Sequence, residues 1–383
     1  MKSDFQDENA GLELLGQLVG INSVNPVFGG PGERELSEFV CGWLADRGIA
    51  YEVQEALPGR CNVVARIGPA DKPTLLLEAH MDTVGVEGWA EGSPFELREE
   101  GERFYGRGSC DTKASLATFM LVLERFSRRE EELAFGLAFA ATVDEESEQE
   151  GAFCLAKKKE ELGLSFAITG EPTCSDVIAR HKGVGRYLLT TMGRAAHAST
   201  PELGENAIYK AARICQSLEA LEEELKARPR EREIERGTVS VGLVKGGIGF
   251  NVVPDSCQID VDRRLGTSET ADAARAELEA ICRKEEGSQL KTFLERPPLR
   301  GETSADFVAR LRTAARAADI EIGEREVPYM TNAVCYEAAG IPAVVFGPGD
   351  IAQAHKNDEF IERGQMLRSL RILESFLLGG SGR

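Results

Sequence analysis

Histidine and tryptophan are the scarce residues of this 383-residue chain, with four of the first and two of the second. An imidazole that does chemistry therefore has only four addresses, His80, His181, His197 and His355. Positive charge is short as well. The chain has 45 Lys and Arg against 64 Asp and Glu, a net charge of −19, and a protein of that sign is repelled by phosphate backbones and anionic lipid. This speaks against nucleic acid and membrane surfaces as partners. No run of 18 apolar residues occurs, so no membrane-spanning helix is expected. Asp4, Asp7 and Glu8 fill the stretch where a secretory leader would carry a basic and then an apolar segment. The nine cysteines are odd in number and form no Cys-x-x-Cys pair, which argues against a disulfide framework and against a thiolate zinc knuckle. They read as reduced, mostly buried small hydrophobes of a cytoplasmic protein, with Cys110 set apart by its neighbour Asp111.

What the chain does have is a regular alternation of helical and strand patterns. Apolar residues at 36, 39, 40, 43 and 44 have helix spacing, and 62–67 and 74–78 are short apolar runs of strand character. The pattern then predicts a helix over 114–126, a strand over 135–143, a helix over 153–162 and a strand over 166–169. That rhythm is α/β. Near Asp176 the texture changes. Strands over 184–192, 238–244 and 256–265 surround an amphipathic helix over 206–227, whose apolar positions 208, 211, 212, 215, 218, 221 and 225 form one stripe, and a helix with a Ser/Thr start covers 268–284. After Pro297-Pro298 the α/β rhythm resumes, with helices over 304–318 and 365–378 and a strand over 343–346. The expected architecture is α/β: a discontinuous catalytic domain, residues 1–177 and 294–383, with a mixed, mostly parallel sheet flanked by helices. A smaller α+β domain, residues 178–293, is inserted into it.

The chemistry-bearing residues sit just past the carboxyl ends of predicted strands, where open α/β sheets place their ligands. Strand 74–78 runs into Ala79-His80-Met81-Asp82, strand 135–143 into Asp144-Glu145-Glu146, and strand 166–169 into Gly170-Glu171-Pro172. Strand 343–346 leads through Gly347-Pro348-Gly349 to Ala354-His355-Lys356-Asn357-Asp358-Glu359, and the glycine-rich turn Gly106-Arg107-Gly108 ends in Asp111 at a helix start. Two imidazoles and several carboxylates at one sheet edge are the donor set of a borderline ion such as Zn²⁺, and a carboxylate can bridge two ions about 3.5–4 Å apart. One ion needs only three of these groups, so the surplus suggests two. Glu145 and Glu146 are adjacent and need separate tasks, which an extended segment permits because neighbouring side chains diverge.

These five motifs follow one another in a fixed order, with 31 residues from His80 to Asp111, 35 from there to Glu146 and 25 from there to Glu171. In that order they resemble the di-zinc aminoacylase/carboxypeptidase family of acetylornithine deacetylase and succinyl-diaminopimelate desuccinylase, over nearly the whole chain. The resemblance implies one Zn²⁺ on His80, Asp111 and Glu171 and a second on Asp111, Glu146 and His355, with Co²⁺ able to substitute. It implies Asp82 as the group that orients the His80 ring and Glu145 as general base. It makes the inserted domain a lid and a dimerisation element, with a homodimer expected through it. In the stretch Ala195–Pro201, His197 would stabilise the oxyanion, in family members often from the partner subunit. Within Gly246–Asn251, Asn251 would contact substrate, and in Asp262-Arg263-Arg264 the second arginine, Arg264, would clamp a substrate carboxylate, with Arg263 facing the other way. His181, at the domain junction, is expected to have a structural or hinge role. Ala114 stands where the family commonly has glycine, Leu265-Gly266-Thr267-Ser268 replaces a frequent Pro-Gly turn, and Tyr329–Asn332 lies where subfamilies set specificity.

The expected activity is hydrolysis of the amide bond of a small N-acyl amino acid, of acetylornithine deacetylase type. The alternatives in the same chemistry are a zinc carboxypeptidase or dipeptidase acting on short peptides and a succinyl-diaminopimelate desuccinylase-like enzyme. A non-catalytic binding protein of the same fold would have lost a ligand or the base, and here every such position is filled.

Overall fold

Leu, Ala and Phe dominate the two middle strands of the main sheet, Thr74–His80 and Gly136–Thr142, and every residue of both is buried. Strands apolar on both faces need a covering layer on each side, the usual condition of parallel strands in α/β proteins. The computed structural model describes residues 2–379, and the side chains of residues 7–379. Its chain divides into two units, one of Met1–Ala179, Gly301–Arg325 and Thr331–Arg383, the other of Arg180–Arg300 and Glu326–Met330.

In the larger unit an eight-stranded sheet has the order Tyr51–Leu57, Arg60–Ile67, Gly136–Thr142, Thr74–His80, Leu164–Thr169, Ala343–Val345, Val177–His181, Glu324–Val327. Its four central strands, from Gly136–Thr142 to Ala343–Val345, are parallel. Antiparallel pairing resumes at Arg60–Ile67 on one side and Val177–His181 on the other. Leu75, Leu77 and Ala79 share one core with Leu116, Phe119 and Leu123 of the helix Lys113–Ser127 and with Leu370 and Leu373 of the helix Gln365–Leu377. The alternate residue Glu78 instead accepts the side-chain amide of Asn332, the residue before the helix Ala333–Ala338, as the two-residue period of a strand requires. A separate three-stranded sheet joins Phe360–Glu362, Arg103–Tyr105 and Arg98–Glu100.

The smaller unit is a four-stranded antiparallel sheet, ordered Thr238–Gly246, Ser256–Leu265, Gly183–Met192, Gln289–Arg296. Strand Ser256–Leu265 alternates buried and accessible residues along its length. Its inward Cys257, Ile259 and Val261 pack with Ile214, Leu218 and Leu278 of the helices Ala207–Ala227 and Ala271–Cys282, leaving the other face polar, as is usual for a half-covered antiparallel sheet.

Three readings of the sequence are corrected, and one strand is added to them. The expected helix 153–162 is two helices, Glu150–Ala156 and Lys159–Leu162, bounded by left-handed Gln149 and Gly163. The long helix buries Ala207, Ala211, Ile214, Leu218, Leu221 and Leu225, whereas Ile208 and Ala212 are exposed, so the stripe is rotated from the expected one. The helix expected from 268 begins only at Ala271, because the Thr270 hydroxyl accepts the Ala273 N–H and caps it there. Strand Gln289–Arg296 was hidden by its mixed polar pattern, and with it the smaller unit runs on to Arg300.

Candidate metal centre

Because the central strands are parallel, their carboxyl ends lie at one edge, and each delivers a polar side chain there. His80 closes its strand, Glu145 and Glu146 follow Gly136–Thr142, Glu171 follows Leu164–Thr169, and His355 follows Ala343–Val345. Asp111 arrives from the loop before Lys113–Ser127. That loop turns at Gly108, whose φ of 81° suits glycine, and a Cβ there would press on Lys113 and Thr83.

The six side chains converge. His80 Nε2 lies 3.2 Å from Asp111 Oδ1 and 3.7 Å from Glu171 Oε1. His355 Nε2 lies 3.1 Å from Glu146 Oε2 and 3.5 Å from Asp111 Oδ2. The two oxygens of Asp111 thus face two different imidazoles. Among the described residues, ligand atoms of His80, Glu145 and Glu171, and of His80, Asp111 and Glu146, fall within 4.8 Å of one another. Glu146 Oε1 is buried with no hydrogen-bond partner, and a buried carboxylate oxygen left open calls for a cation. The donor set therefore fits a divalent cation.

Electrostatics point the same way. Burial opposes charge on His80, but hydrogen bonds to Asp111 and Asp82 and the fields of Glu171 and Glu145 outweigh it and hold its pKa well above the ordinary value. His355 is pushed up to about 9, chiefly by its hydrogen bond to Glu146. Burial, reinforced by neighbouring carboxylates, drives Glu145 and Glu171 well above the usual range. With no cation present the cluster recruits protons, which is the mark of an excess of buried negative charge.

The supports are as informative as the cluster. His80 Nδ1 is 2.9 Å from the backbone carbonyl of Asp82 and 3.5 Å from its carboxylate. The Asp82 carboxylate accepts the backbone N–H groups of Glu145 (3.1 Å) and Glu146 (3.0 Å) and the side-chain amide of Asn25 (2.7 Å). Glu145 and Glu146 are not on extended chain as expected. Asp144 has a φ of 73°, and the segment turns back so that Gln149 N–H meets Asp144 O at 2.7 Å. The turn holds both of their N–H groups on Asp82. Arg60 braces the turn, donating to Asp144 Oδ1 at 2.8 Å and to both oxygens of buried Glu33.

Sequence reasoning missed Asn25, Arg60 and Glu33, and it placed Glu359 at the end of the His355 motif without giving it a role. None carries a metal-ligand spacing, and each acts over a long sequence separation. Asn332, in the stretch associated with specificity, is wholly buried, and its amide donates to Glu78 (2.9 Å) beneath the sheet edge. Cys110 is buried with its thiol 3.4 Å from the Asp350 carbonyl, and burial followed by the charge of Glu359 raises its pKa well above normal, so it is no nucleophile. His181 is fully buried, its Nδ1 2.9 Å from the Lys182 carbonyl, and burial lowers its pKa to about 4.

In the smaller unit, the strand Ala196–His197 pairs with Val252–Val253, and Asn251 O accepts the Ala198 N–H (3.0 Å), so the His197 and Asn251 segments are neighbours. His197 is exposed, with Nδ1 2.7 Å from Ser199 Oγ. Arg263 is fully buried and paired with Glu269 (2.6 Å) and Glu277 (3.2 Å), while Arg264 is partly accessible and paired with Asp262 (2.8 Å).

An α/β unit with imidazoles and carboxylates gathered at the carboxyl edge of its parallel strands defines a class of metal-dependent hydrolases. The chain belongs to the peptidase family M20/M25/M40, whose model matches residues 76–379. A probable succinyl-diaminopimelate desuccinylase of Staphylococcus aureus (strain N315) is 25% identical over 405 residues, covering 96% of this chain and 96% of its own. The acetylornithine deacetylase of Proteus mirabilis (strain HI4320) is 30% identical over 386 residues, covering 96% of this chain and 97% of its own. Among solved structures, an M20 family metallo-carboxypeptidase from Sulfolobus solfataricus has a TM-score of 0.78 at 17% identity, covering 97% of this chain and 99% of its own. A tripeptidase from Staphylococcus aureus has a TM-score of 0.77 at 20% identity, covering 97% of each chain. These two share the fold, and the α/β class expected from the sequence is the class observed.

Proposed function

We propose that this hydrolase cleaves the amide bond of a small N-acyl amino acid, with acetylornithine-type deacylation as its reaction, using two Zn²⁺ ions for which Co²⁺ can substitute. The observation that carries this reading is Asp111 set between two imidazoles, with Glu145 beside it. His80, Asp111 and Glu171 would hold one ion, and Asp111, Glu146 and His355 the other. When bound, the ions supply Lewis acidity, lowering the pKa of a water and polarising the scissile carbonyl. Glu145 takes the proton of the attacking water and delivers it to the leaving amine. Asp82 holds the turn that separates base from ligand. From the smaller unit, His197 would stabilise the oxyanion, Arg264 would bind the substrate carboxylate as a planar fork, and Asn251 would contact substrate. Arg263 is already committed to Glu269 and Glu277. We assign the smaller unit to substrate closure and homodimer formation. The nine cysteines are all free, in keeping with a reducing, cytoplasmic setting.

The test is hydrolysis of N-acetylornithine, N-succinyl-diaminopimelate and a dipeptide panel by protein reconstituted with Zn²⁺ or Co²⁺. Turnover greatest on N-acetylornithine supports the reading. Turnover confined to the succinyl substrate or to peptides moves the enzyme to the alternative specificity, and inactivity on all three overturns the substrate class. Sedimentation as a monomer would overturn the homodimer.

A further inference from the structure

Glu359 is a wholly buried carboxylate of the larger unit, four residues beyond His355. Its Oε1 accepts the backbone N–H groups of Cys110 and Asp111, each at 2.8 Å. Its Oε2 accepts Gly108 N–H at 3.0 Å and Arg107 Nη1 at 2.7 Å. One carboxylate therefore takes three backbone N–H donors of the loop 106–111, those of Gly108, Cys110 and Asp111, and the loop's one arginine. The backbone of Glu359 adds to this, since its carbonyl accepts Gly106 N–H at 3.1 Å.

Local folding explains how two segments about 250 residues apart come to register so closely. Phe360–Glu362 pairs antiparallel with Arg103–Tyr105, Phe360 opposite Tyr105 and Ile361 opposite Phe104. Continuing that ladder by one step sets Glu359 against Gly106, at the mouth of the loop. The opposite end of the same segment carries His355, whose ring meets Glu146 and Asp111. A surface ion pair would be indifferent to such detail. Here the carboxylate fills a concavity of backbone N–H groups, as an anion does in a nest.

Resting on the metal reading above, we infer that Glu359 is a positioning residue for the metal pair. It locks the backbone of Asp111, the shared ligand, to the segment that supplies His355, so that the two ligands keep one spacing. Outer partners of this kind commonly set metal affinity by 10–100-fold when removed. Glu359→Gln is the sharp probe. The amide can accept the N–H groups on one side only, and on the other its NH₂ confronts Gly108 N–H and the Arg107 guanidinium, donor against donor.

The experiment strips the protein of metal and titrates it with Zn²⁺ against a chromophoric chelator, reading stoichiometry and affinity, with circular dichroism as the check on folding. Glu362→Gln, an exposed neighbour, is the control and should match wild type. E359Q is expected to stay folded, to bind at least one of the two ions 10–100-fold more weakly, and to recover kcat when Zn²⁺ is raised, with KM unchanged. Glu359→Asp, which keeps the charge, should recover part of the affinity. Folded E359Q with wild-type affinity for both ions overturns the inference. If E359Q does not fold, E359D is read in its place by the same criterion, and failure of both to fold overturns it in favour of a purely structural residue. Wild-type protein that binds no divalent ion overturns the metal reading together with this one.

Discussion

Glu145 and Glu146 share a charge and a turn, and the different tasks proposed for them rest on what each side chain can reach. Glu146 is in hydrogen-bond distance of His355, and Glu145 is in ligand range of His80 and Glu171. The position of Glu145 would suit a ligand as well as a base, and substitution separates the two. Glu145→Gln should lower kcat by about 10²–10⁴-fold while zinc stoichiometry stays at two per chain, measured by initial rates and by metal content after dialysis. Loss of an ion would make Glu145 a ligand. His355 offers a second test through its raised pKa of about 9, owed first to Glu146. Above the ordinary imidazole value and below 9 the metal-free protein keeps this ring protonated, and the charge pair stabilises the fold. That contribution is complete below pH 6.5 and is lost as the pH rises through 9. A metal ion competes with the same proton. Zinc affinity should therefore climb between pH 7 and 9, and binding at pH 7.5 should release protons. Calorimetry in two buffers of different ionisation enthalpy measures the release, and an absence of released protons would count against His355 as a ligand.

On the strand Ser256–Leu265, alternation alone gives two adjacent arginines different fates. Arg263 points inward to Glu269 and Glu277, whereas Arg264 keeps a partly accessible side chain against Asp262. Arg263→Met leaves two carboxylates without their buried partner and should cost about 3 kcal/mol of stability in denaturant unfolding. Arg264→Met should leave the unfolding midpoint within about 0.5 kcal/mol of wild type and raise KM for a carboxylate-bearing substrate. Equal loss of stability in both variants would refute the division of roles. The same alternation shows what was legible in the sequence. Short apolar runs gave the strands Thr74–His80 and Gly136–Thr142, and period-two and period-3.6 patterns gave the strand Ser256–Leu265 and the helix Ala207–Ala227, to within a few residues, because burial on one or both faces writes itself into residue type. The ligand-type residues were legible because they stand at strand ends. The role of Glu359 and the presence of Asn25 were not, since their partners are backbone N–H groups and distant carboxylates, which leave no periodic trace. The turn at Asp144 was missed for a related reason: nothing in Asp-Glu-Glu announces a φ of 73° held by Arg60 and Asn25.

At the scale of the whole molecule, the net charge of −19 is partly an expression of the site, because Asp82, Asp111, Glu145, Glu146 and Glu171 are gathered in one cluster of the larger unit. Such a cluster is costly to fold without cations, and ions that bind only the folded state stabilise it, by about 2.7 kcal/mol per site at a hundred times Kd. Both tryptophans, Trp43 and Trp89, belong to that unit, so intrinsic emission reports its unfolding and not that of the smaller unit. Chelator-stripped protein should melt several degrees below zinc-loaded protein when followed by tryptophan emission. Glu146→Gln sharpens the expectation by opposing two effects. Removing one negative charge relieves repulsion in the metal-free cluster, so stripped E146Q should melt no lower than stripped wild type. Removing a proposed ligand weakens one ion, so the rise on adding zinc should shrink. A zinc-dependent rise as large in E146Q as in wild type would show that the ions stabilise the unit through other residues.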